Sequence, residues 1–179
     1  MTTQMTSMIV TPDRTEAAEY YFTYIAKVGP GDILEILETQ LPETVAFFRA
    51  VSEERSRWRY APDKWSIRQV LSHINDAERL FAFRALWFAR GLDSPLPSFD
   101  QEVAEASTRA DERSWSGLIE EFGAVRAATI ALFEHLPAEA WMRRGVASGN
   151  PVSVRALAYI IAGHVTHHTS TLRSRYLQG

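Results

Sequence analysis

The stretch "KWSIRQV" marks the beginning of a long helix more clearly than any other part of the chain. Ser66 stands at the N-cap position and Gln69 follows three residues later, which is the pattern of a capping box. Apolar residues then recur with the helical period as far as Phe88, and Gly91 is a typical residue for ending a helix. These features predict an amphipathic helix over residues 66–90.

The same period predicts three further long helices, over residues 32–56, 114–136 and 153–177. Pro42 lies inside the first of them, where its missing N–H and its ring predict a kink or a break. A short amphipathic segment, "TEAAEYYFTYIAKV", precedes these helices. Strand patterns are almost absent, so the sequence predicts an all-α protein.

The lengths of the connections restrict how the four helices can be arranged. The first and second helices, and the third and fourth, are joined by connections of about ten residues, which suit antiparallel neighbours. The segment 91–113 between the second and third helices is long enough to cross a whole bundle. We therefore expect an up-down-down-up four-helix bundle with a long crossover, with residues 1–13 as a flexible tail and residues 14–179 as a single domain.

Composition and charge exclude several classes of function. The net charge is −3 with acidic and basic residues mixed along the chain, so no basic surface for nucleic acid is expected. The absence of cysteine excludes disulfides, thiolate metal ligands and a cysteine nucleophile. No apolar run approaches the roughly 20 residues of a membrane span, and the first residues lack the pattern of a signal peptide. We expect a soluble, cytoplasmic protein.

Three of the five histidines of the chain lie in the stretch "AGHVTHH" on the last predicted helix. His164 and His168 are four residues apart, which places them on one helix face, one turn apart. Two imidazoles in this arrangement can reach one metal ion, and imidazole binds zinc, nickel, copper and iron. Since such a pair also occurs by chance, it does not by itself predict a metal site.

A third histidine lies at a matching depth in the predicted bundle. His73 is about 10 Å from the start of the second helix, and the His164–His168 pair is about 16 Å from the end of the fourth. These depths approximately match if the two helices are antiparallel. The coincidence favours a divalent metal site over histidines that only pack in the core. Three protein ligands leave a coordination position open, as in catalytic rather than structural zinc sites.

One acidic residue falls inside the apolar stripe of the second helix. Glu78 must be paired or functional there, because an isolated buried carboxylate is costly. It lies about 140° around the helix axis from His73. An ion pair with an arginine such as Arg84 or Arg126 is therefore favoured over a catalytic role.

Two further residues are candidates for supporting the metal ligands. Asp76 lies about one turn from His73 and either orients a ligand or faces solvent. His167 neighbours His168 but points about 100° away from it, so it is either a flanking residue or a hydrogen-bond donor behind the ligands.

Two segments of the chain resemble a known protein family. "KWSIRQVLSHINDAERLFAFRALWFARG" and "SVRALAYIIAGHVTHHTSTLRSRYL" are similar to the DinB-like, also called YfiT-like, metalloenzymes. The shared features are Trp-Ser before the second helix, one histidine within that helix, and a Gly-His-x-x-His-His run on the last helix. The resemblance covers about residues 30–177.

The resemblance implies a four-helix bundle with a long crossover, a homodimer, and a three-histidine metal site at His73, His164 and His168. It implies zinc or nickel as the cofactor, with manganese or iron as alternatives. Members of the family include thiol transferases and isomerases that use bacillithiol, mycothiol or glutathione, and others that look like metal-dependent hydrolases. The catalytic residues and the substrate are not implied by the resemblance.

Two hypotheses for the function follow. In the first, a divalent ion on the three histidines activates a low-molecular-weight thiol or a water for attack on a small electrophile, as in a thiol transferase or a hydrolase. In the second, the protein is a non-catalytic, stress-associated bundle that binds a metal or a small ligand. A bundle without any metal, in which the histidines only pack, is a third interpretation.

Overall fold

The computed structural model describes residues 9–178. Its regular structure consists of α1 (Phe22–Ile25), α2 (Ile33–Arg49), α3 (Ile67–Ala89), α4 (Gln101–Thr108), α5 (Trp115–Glu134), β1 (Arg144–Ala147), β2 (Asn150–Ser153) and α6 (Val154–Thr171). A π-helical turn, Leu172–Tyr176, continues α6. Within the described range, none of the helices is both long and apolar enough to cross a membrane.

The four long helices, α2, α3, α5 and α6, form the predicted four-helix bundle. Two contacts show that α3 and α6 are antiparallel. At one end, the Tyr176 hydroxyl after α6 donates to the carbonyl of Trp65 before α3, at 3.0 Å. At the other end, the Arg143 guanidinium before α6 donates to the carbonyl of Ala89, the last residue of α3.

Each long helix begins at a side-chain cap, and the cap at Ser66 is the one that the sequence predicted for α3. Ser66 accepts from the backbone N–H of Gln69, and the Gln69 side chain accepts from the N–H of Ser66, which completes the capping box. The remaining caps of the bundle are Asp32, Ser114 and Ser153. Each cap satisfies backbone donors that the helix itself leaves unpaired. The observed starts of the helices therefore agree closely with the starts predicted from the sequence.

The predicted extent of the first helix was wrong. It ends at Arg49 rather than Ser56, and Ser56 lies instead in a separate turn that is buried against α3, where its hydroxyl donates to the Glu53 carbonyl and accepts from Arg68. No break occurs at Pro42, since α2 is continuous through it. A proline inside a helix costs about 3 kcal/mol. Leu37 and Phe48 are fully buried on either side of it, and the burial of each side chain stabilises the folded protein by roughly 2–3 kcal/mol.

Two elements were not predicted. Helix α4 lies in the crossover, and the hairpin β1–β2 precedes α6. Ala147 pairs with Asn150, which leaves a two-residue turn of Ser148 and Gly149, with φ values of 54° and 75°. Two positive φ angles are those of a type I′ turn, which usually carries Asn-Gly. Serine rarely adopts such an angle, so the sequence contained no clear hairpin signal.

The predicted flexible tail covers residues 1–13, of which residues 1–8 lie outside the described residues. Residues 9–13 are described, and they do not form a loose segment. The Ile9 N–H donates to Asp32 at 3.2 Å, and the Ile9 carbonyl accepts from the Tyr159 hydroxyl at 2.9 Å. This part of the chain is therefore attached to the bundle at α2 and α6.

The apolar core consists of two clusters that occupy opposite ends of the bundle. One contains Ala77 and Ala162, and the other contains Ile74 and Val165. His164 lies between Ala162 and Val165 in sequence, so the histidines lie where the two clusters meet.

Candidate metal centre

The structure brings the three predicted histidines together. The Nε2 atom of His164 lies 3.1 Å from Nε2 of His73 and 3.0 Å from Nε2 of His168. The candidate ligand atoms of all three lie within 4.8 Å of one another. One residue comes from α3 and two come from α6, so the antiparallel packing of these helices creates the cluster.

A glycine allows a third element to approach the histidines. A Cβ atom added at Gly163 would lie 2.1 Å from the carbonyl oxygen of Tyr24, so only glycine permits α1 to pack this closely on α6. The Tyr24 ring then lies 5.2 Å from the ring of His164, measured between centroids. The short segment that holds α1 therefore becomes part of the site.

Burial keeps the three imidazoles neutral. It lowers the pKa of His73 to about 4 and the pKa of His168 to about 3. Burial and, secondly, the neighbouring imidazoles lower the pKa of His164 well below its ordinary value. Neutral imidazole is the form that binds metal ions, so at pH 7 the ring nitrogens need not lose a proton first.

The donor set fits a divalent ion. Among the described residues, the hydrogen-bonding contacts of these three Nε2 atoms are only with one another. A tetrahedral ion with bonds of about 2.0–2.1 Å to nitrogen requires roughly 3.3 Å between ligand atoms. The observed separations of 3.0 and 3.1 Å are close to this value. A single cation could accept the lone pairs of all three Nε2 atoms, whereas the three imidazoles cannot all accept the lone pairs of one another.

Aromatic side chains surround the histidines. The ring of Trp65 lies 5.0 Å from that of His73, and the ring of Phe81 lies 5.9 Å from that of His164, between centroids. These apolar rings lower the polarity around the cluster, which strengthens electrostatic interactions there.

A cavity of about 150 Å³ reaches the cluster from outside the bundle. Both His73 and His164 contribute to its wall. Its other polar lining residues are Tyr20, Tyr21, Tyr24, Arg84, Gln101 and Ser148. A small molecule in this cavity would therefore lie against two of the three candidate ligands.

Glu78 and Asp76 are engaged elsewhere. Both carboxylate oxygens of Glu78 accept hydrogen bonds from Arg126, at 2.7 and 2.9 Å, so the pairing favoured by the sequence is present with Arg126 and not with Arg84. Asp76 pairs with Arg79 at 3.4 Å, and its burial raises the pKa of its carboxyl. Within the described part of the chain, neither carboxylate is hydrogen-bonded to a histidine.

His167 lies at the edge of the cluster. Its ring packs edge-on against Tyr24 and His168, at centroid distances of 5.3 and 5.0 Å. It is half-buried, and burial lowers its pKa. The structure thus places it beside the ligand set rather than in it.

The sequence did not identify Arg84 as a residue of the site. Instead of pairing with Glu78, it donates to the carbonyl of Pro97 and to the hydroxyl of Ser148, each at 2.9 Å. One signal was available: Arg84 follows His73 by 11 residues, just over three helical turns, and therefore lies on the same face of α3.

Two solved structures have a similar fold. YfiT from Bacillus subtilis, described as a probable metal-dependent hydrolase with an unusual four-helix bundle topology, matches with a TM-score of 0.70 and 15% identity. The match covers 92% of this chain and 90% of that one. The mycothiol-dependent maleylpyruvate isomerase matches with a TM-score of 0.67 and 12% identity. That match covers 82% of this chain but only 61% of the isomerase.

At these identities the two structures establish the fold alone. No curated protein has a detectable match to the sequence. The profile of the DinB superfamily matches residues 36–172, which include all three clustered histidines. The chain therefore belongs to the DinB superfamily.

Proposed function

We propose that this protein is a metal-dependent enzyme in which His73, His164 and His168 hold a divalent ion. The observation that carries the proposal is the convergence of three neutral imidazoles, two buried and the third half-buried, beside a cavity. The descriptions of YfiT as a probable metal-dependent hydrolase and of the isomerase as mycothiol-dependent support this class of activity. Zinc or nickel suits an all-imidazole ligand set, with manganese or iron as alternatives.

The ligand set points to catalysis rather than to a structural role. If His73, His164 and His168 held a divalent ion, it would supply a Lewis acid that lowers the pKa of a thiol or a water at the open position. The protein supplies three ligands, whereas structural zinc sites normally have four. Since the chain contains no cysteine, a thiol nucleophile would have to come from a low-molecular-weight thiol. The proposed reaction is attack by this thiol, or by water, on a small electrophile.

A non-catalytic role in binding a metal or a small ligand is the second candidate function. The volume of the cavity favours the metal-binding form of this role over turnover of a substrate, because about 150 Å³ is below the roughly 300 Å³ at which pockets for small molecules usually begin. The homodimer implied by the family resemblance and the cytoplasmic location expected from the sequence stay predictions.

Metal analysis of protein purified without a histidine tag tests the proposal. We expect about one divalent ion per chain in the parent protein and its loss in His73→Ala. His135→Ala is the matched control, because His135 is exposed at the end of α5 and should leave the metal content unchanged. Absence of bound metal in the parent protein, even after zinc or nickel is added, would overturn the proposal.

Turnover separates the two candidate functions. The metal-loaded protein is assayed with a low-molecular-weight thiol and an aromatic electrophile, and separately with nitrophenyl esters. Turnover that depends on His73 supports an enzyme. Stoichiometric metal without turnover of either kind of substrate favours the binding role.

A further inference from the structure

In the described part of the chain, Arg84 is a buried cation without a buried anion. Its exposed fraction is 2%, and Nη2 donates to two neutral oxygens, the carbonyl of Pro97 and the hydroxyl of Ser148. Its Nε atom is buried and has no hydrogen-bond partner among residues 9–178. Over the same range, no acidic side chain forms an ion pair with it. Removing a guanidinium from water without a counter-ion is energetically unfavourable.

The other deeply buried arginines show that the fold usually provides a buried guanidinium with a carboxylate partner. Arg68 and Arg126 are both fully buried, and each pairs with a carboxylate, Glu53 and Glu78 respectively. Arg84 is the exception among these three, since the described residues surround it with neutral acceptors and leave its Nε donor unused. The missing partner is therefore expected from outside the chain.

The position of Arg84 indicates where such a partner would lie. Arg84 lines the same cavity as His73 and His164. On α3 it is roughly 16 Å along the axis from His73 and about 20° around it. Because side chains on a helix tilt toward its N-terminus, Arg84 leans toward His73. A molecule in the cavity would thus lie between the guanidinium and the histidines.

The chemistry of the cavity favours a small carboxylate. No acidic side chain lines it in the described part of the chain, and Arg84 is its one formally charged lining residue there. A single guanidinium matches the single charge of a carboxylate, whereas a phosphate dianion would bring a second charge. The volume of about 150 Å³ accommodates a group about the size of benzene.

We propose that Arg84 determines specificity by binding the carboxylate of a small organic acid whose uncharged part extends toward His73 and His164. That this acid is the substrate rests on the proposed function. Binding of the carboxylate at Arg84 does not require the metal, so the two proposals can fail separately.

Benzoate and its uncharged analogue benzamide are suitable probes, and their affinities can be measured by calorimetry or ligand-observed NMR. The full-length protein is used as purified and again after treatment with a chelator. We expect benzoate to bind more tightly than benzamide in both preparations. Arg84→Met should weaken benzoate binding by about ten- to a hundredfold and leave benzamide unchanged.

Two more variants separate anion recognition from a structural role of Arg84. Arg90→Met removes the same charge from an exposed position at the end of the same helix and should leave benzoate binding unchanged. Arg84→Gln keeps an N–H donor for Pro97 or Ser148 but removes the charge, and should weaken benzoate binding as Arg84→Met does. Because this variant keeps a polar contact, it also serves if Arg84→Met does not fold.

Three outcomes would overturn the assignment of the carboxylate to Arg84. They are equal binding of benzoate and benzamide, unchanged benzoate binding in both Arg84 variants, and benzoate binding that disappears only on chelation. The last would mean that the carboxylate binds the metal, which would support the proposed function while removing Arg84 from it. Conversely, Arg84-dependent binding by a protein that takes up no metal would leave this inference standing and overturn the proposed function.

Discussion

Glu78 on α3 and Arg126 on α5 form a bidentate ion pair in the interior of the bundle, with N–O distances of 2.7 and 2.9 Å. Arg126 also donates to the side chain of Gln40 on α2 at 2.7 Å. Gln40 in turn donates to the Ala162 carbonyl and the Thr166 hydroxyl on α6, each at 3.0 Å. This network joins all four long helices, and its last two members flank His164 in sequence.

Removing one partner of this ion pair should destabilise the protein strongly. We expect Glu78→Ala to lower the free energy of unfolding by about 3–5 kcal/mol, because it leaves a buried guanidinium unpaired. The double variant Glu78→Leu/Arg126→Met should recover most of the loss, since both charges are gone. Urea denaturation measures both effects, and Glu38→Ala, at an exposed position of α2, is the control. A loss below about 1 kcal/mol for Glu78→Ala would contradict the expectation.

Glu105 on α4 should make the stability depend on pH. Burial raises the pKa of its carboxyl from 4.5 to about 7, and its Oε2 atom has no hydrogen-bond partner among the described residues. Between these values the folded protein holds a proton that the unfolded chain has released, so this contribution to stability is complete below pH 4.5 and is lost as the pH rises to 7.

The measurement compares the parent protein with Glu105→Gln in urea titrations at several pH values. The variant keeps a neutral side chain at every pH, so its stability relative to the parent should rise by about 2–3 kcal/mol between pH 4.5 and 7. Taking the difference removes the contribution of the histidines, which titrate in both proteins. A constant difference across this range would contradict the raised pKa.

Metal should stabilise the protein only while the ligand set is intact. An excess of zinc a hundredfold above its dissociation constant adds about 2.7 kcal/mol to the stability of the folded state. The melting temperature of the parent protein should therefore rise with zinc, and that of His168→Leu should not. Without metal, His168→Leu should be as stable as the parent or more so, since leucine suits a largely apolar site. Destabilisation of the metal-free variant would indicate that His168 has a packing role instead.

Gly163→Ala should disturb the site through the backbone of α1. The added methyl would meet the main chain of Tyr24, which cannot move away as the end of a side chain could, so we expect a loss of about 1–3 kcal/mol in stability. Gly123→Ala on α5 is a matched control, because nothing lies within 4 Å of the added Cβ there. It should stabilise the helix by about 0.5–1 kcal/mol. Thermal denaturation of the two variants tests the contrast, and equal effects would contradict it.

The sequence by itself determined the features that depend on neighbouring residues. Ser66 with Gln69 specifies the start of α3, because a cap acts within one turn of backbone. The four-residue spacing of His164 and His168 specifies that they share a helix face. The connection lengths specified which helices are antiparallel, and this was enough to bring His73 to the same depth as the pair.

Only the tertiary structure decided the features that depend on residues distant in the chain. The first helix ends before Ser56, which is held in a separate turn by a hydrogen bond from Arg68 of α3. Arg84 and Arg126 were equal candidates for Glu78 in the sequence, and the packing of α3 against α5 selected Arg126. The cavity wall also depends on distant contacts, since it includes the tyrosines of the segment around α1 and the turn at Ser148. Long-range contacts determine the positions of these residues, and neither the helical period nor the capping pattern predicts such contacts.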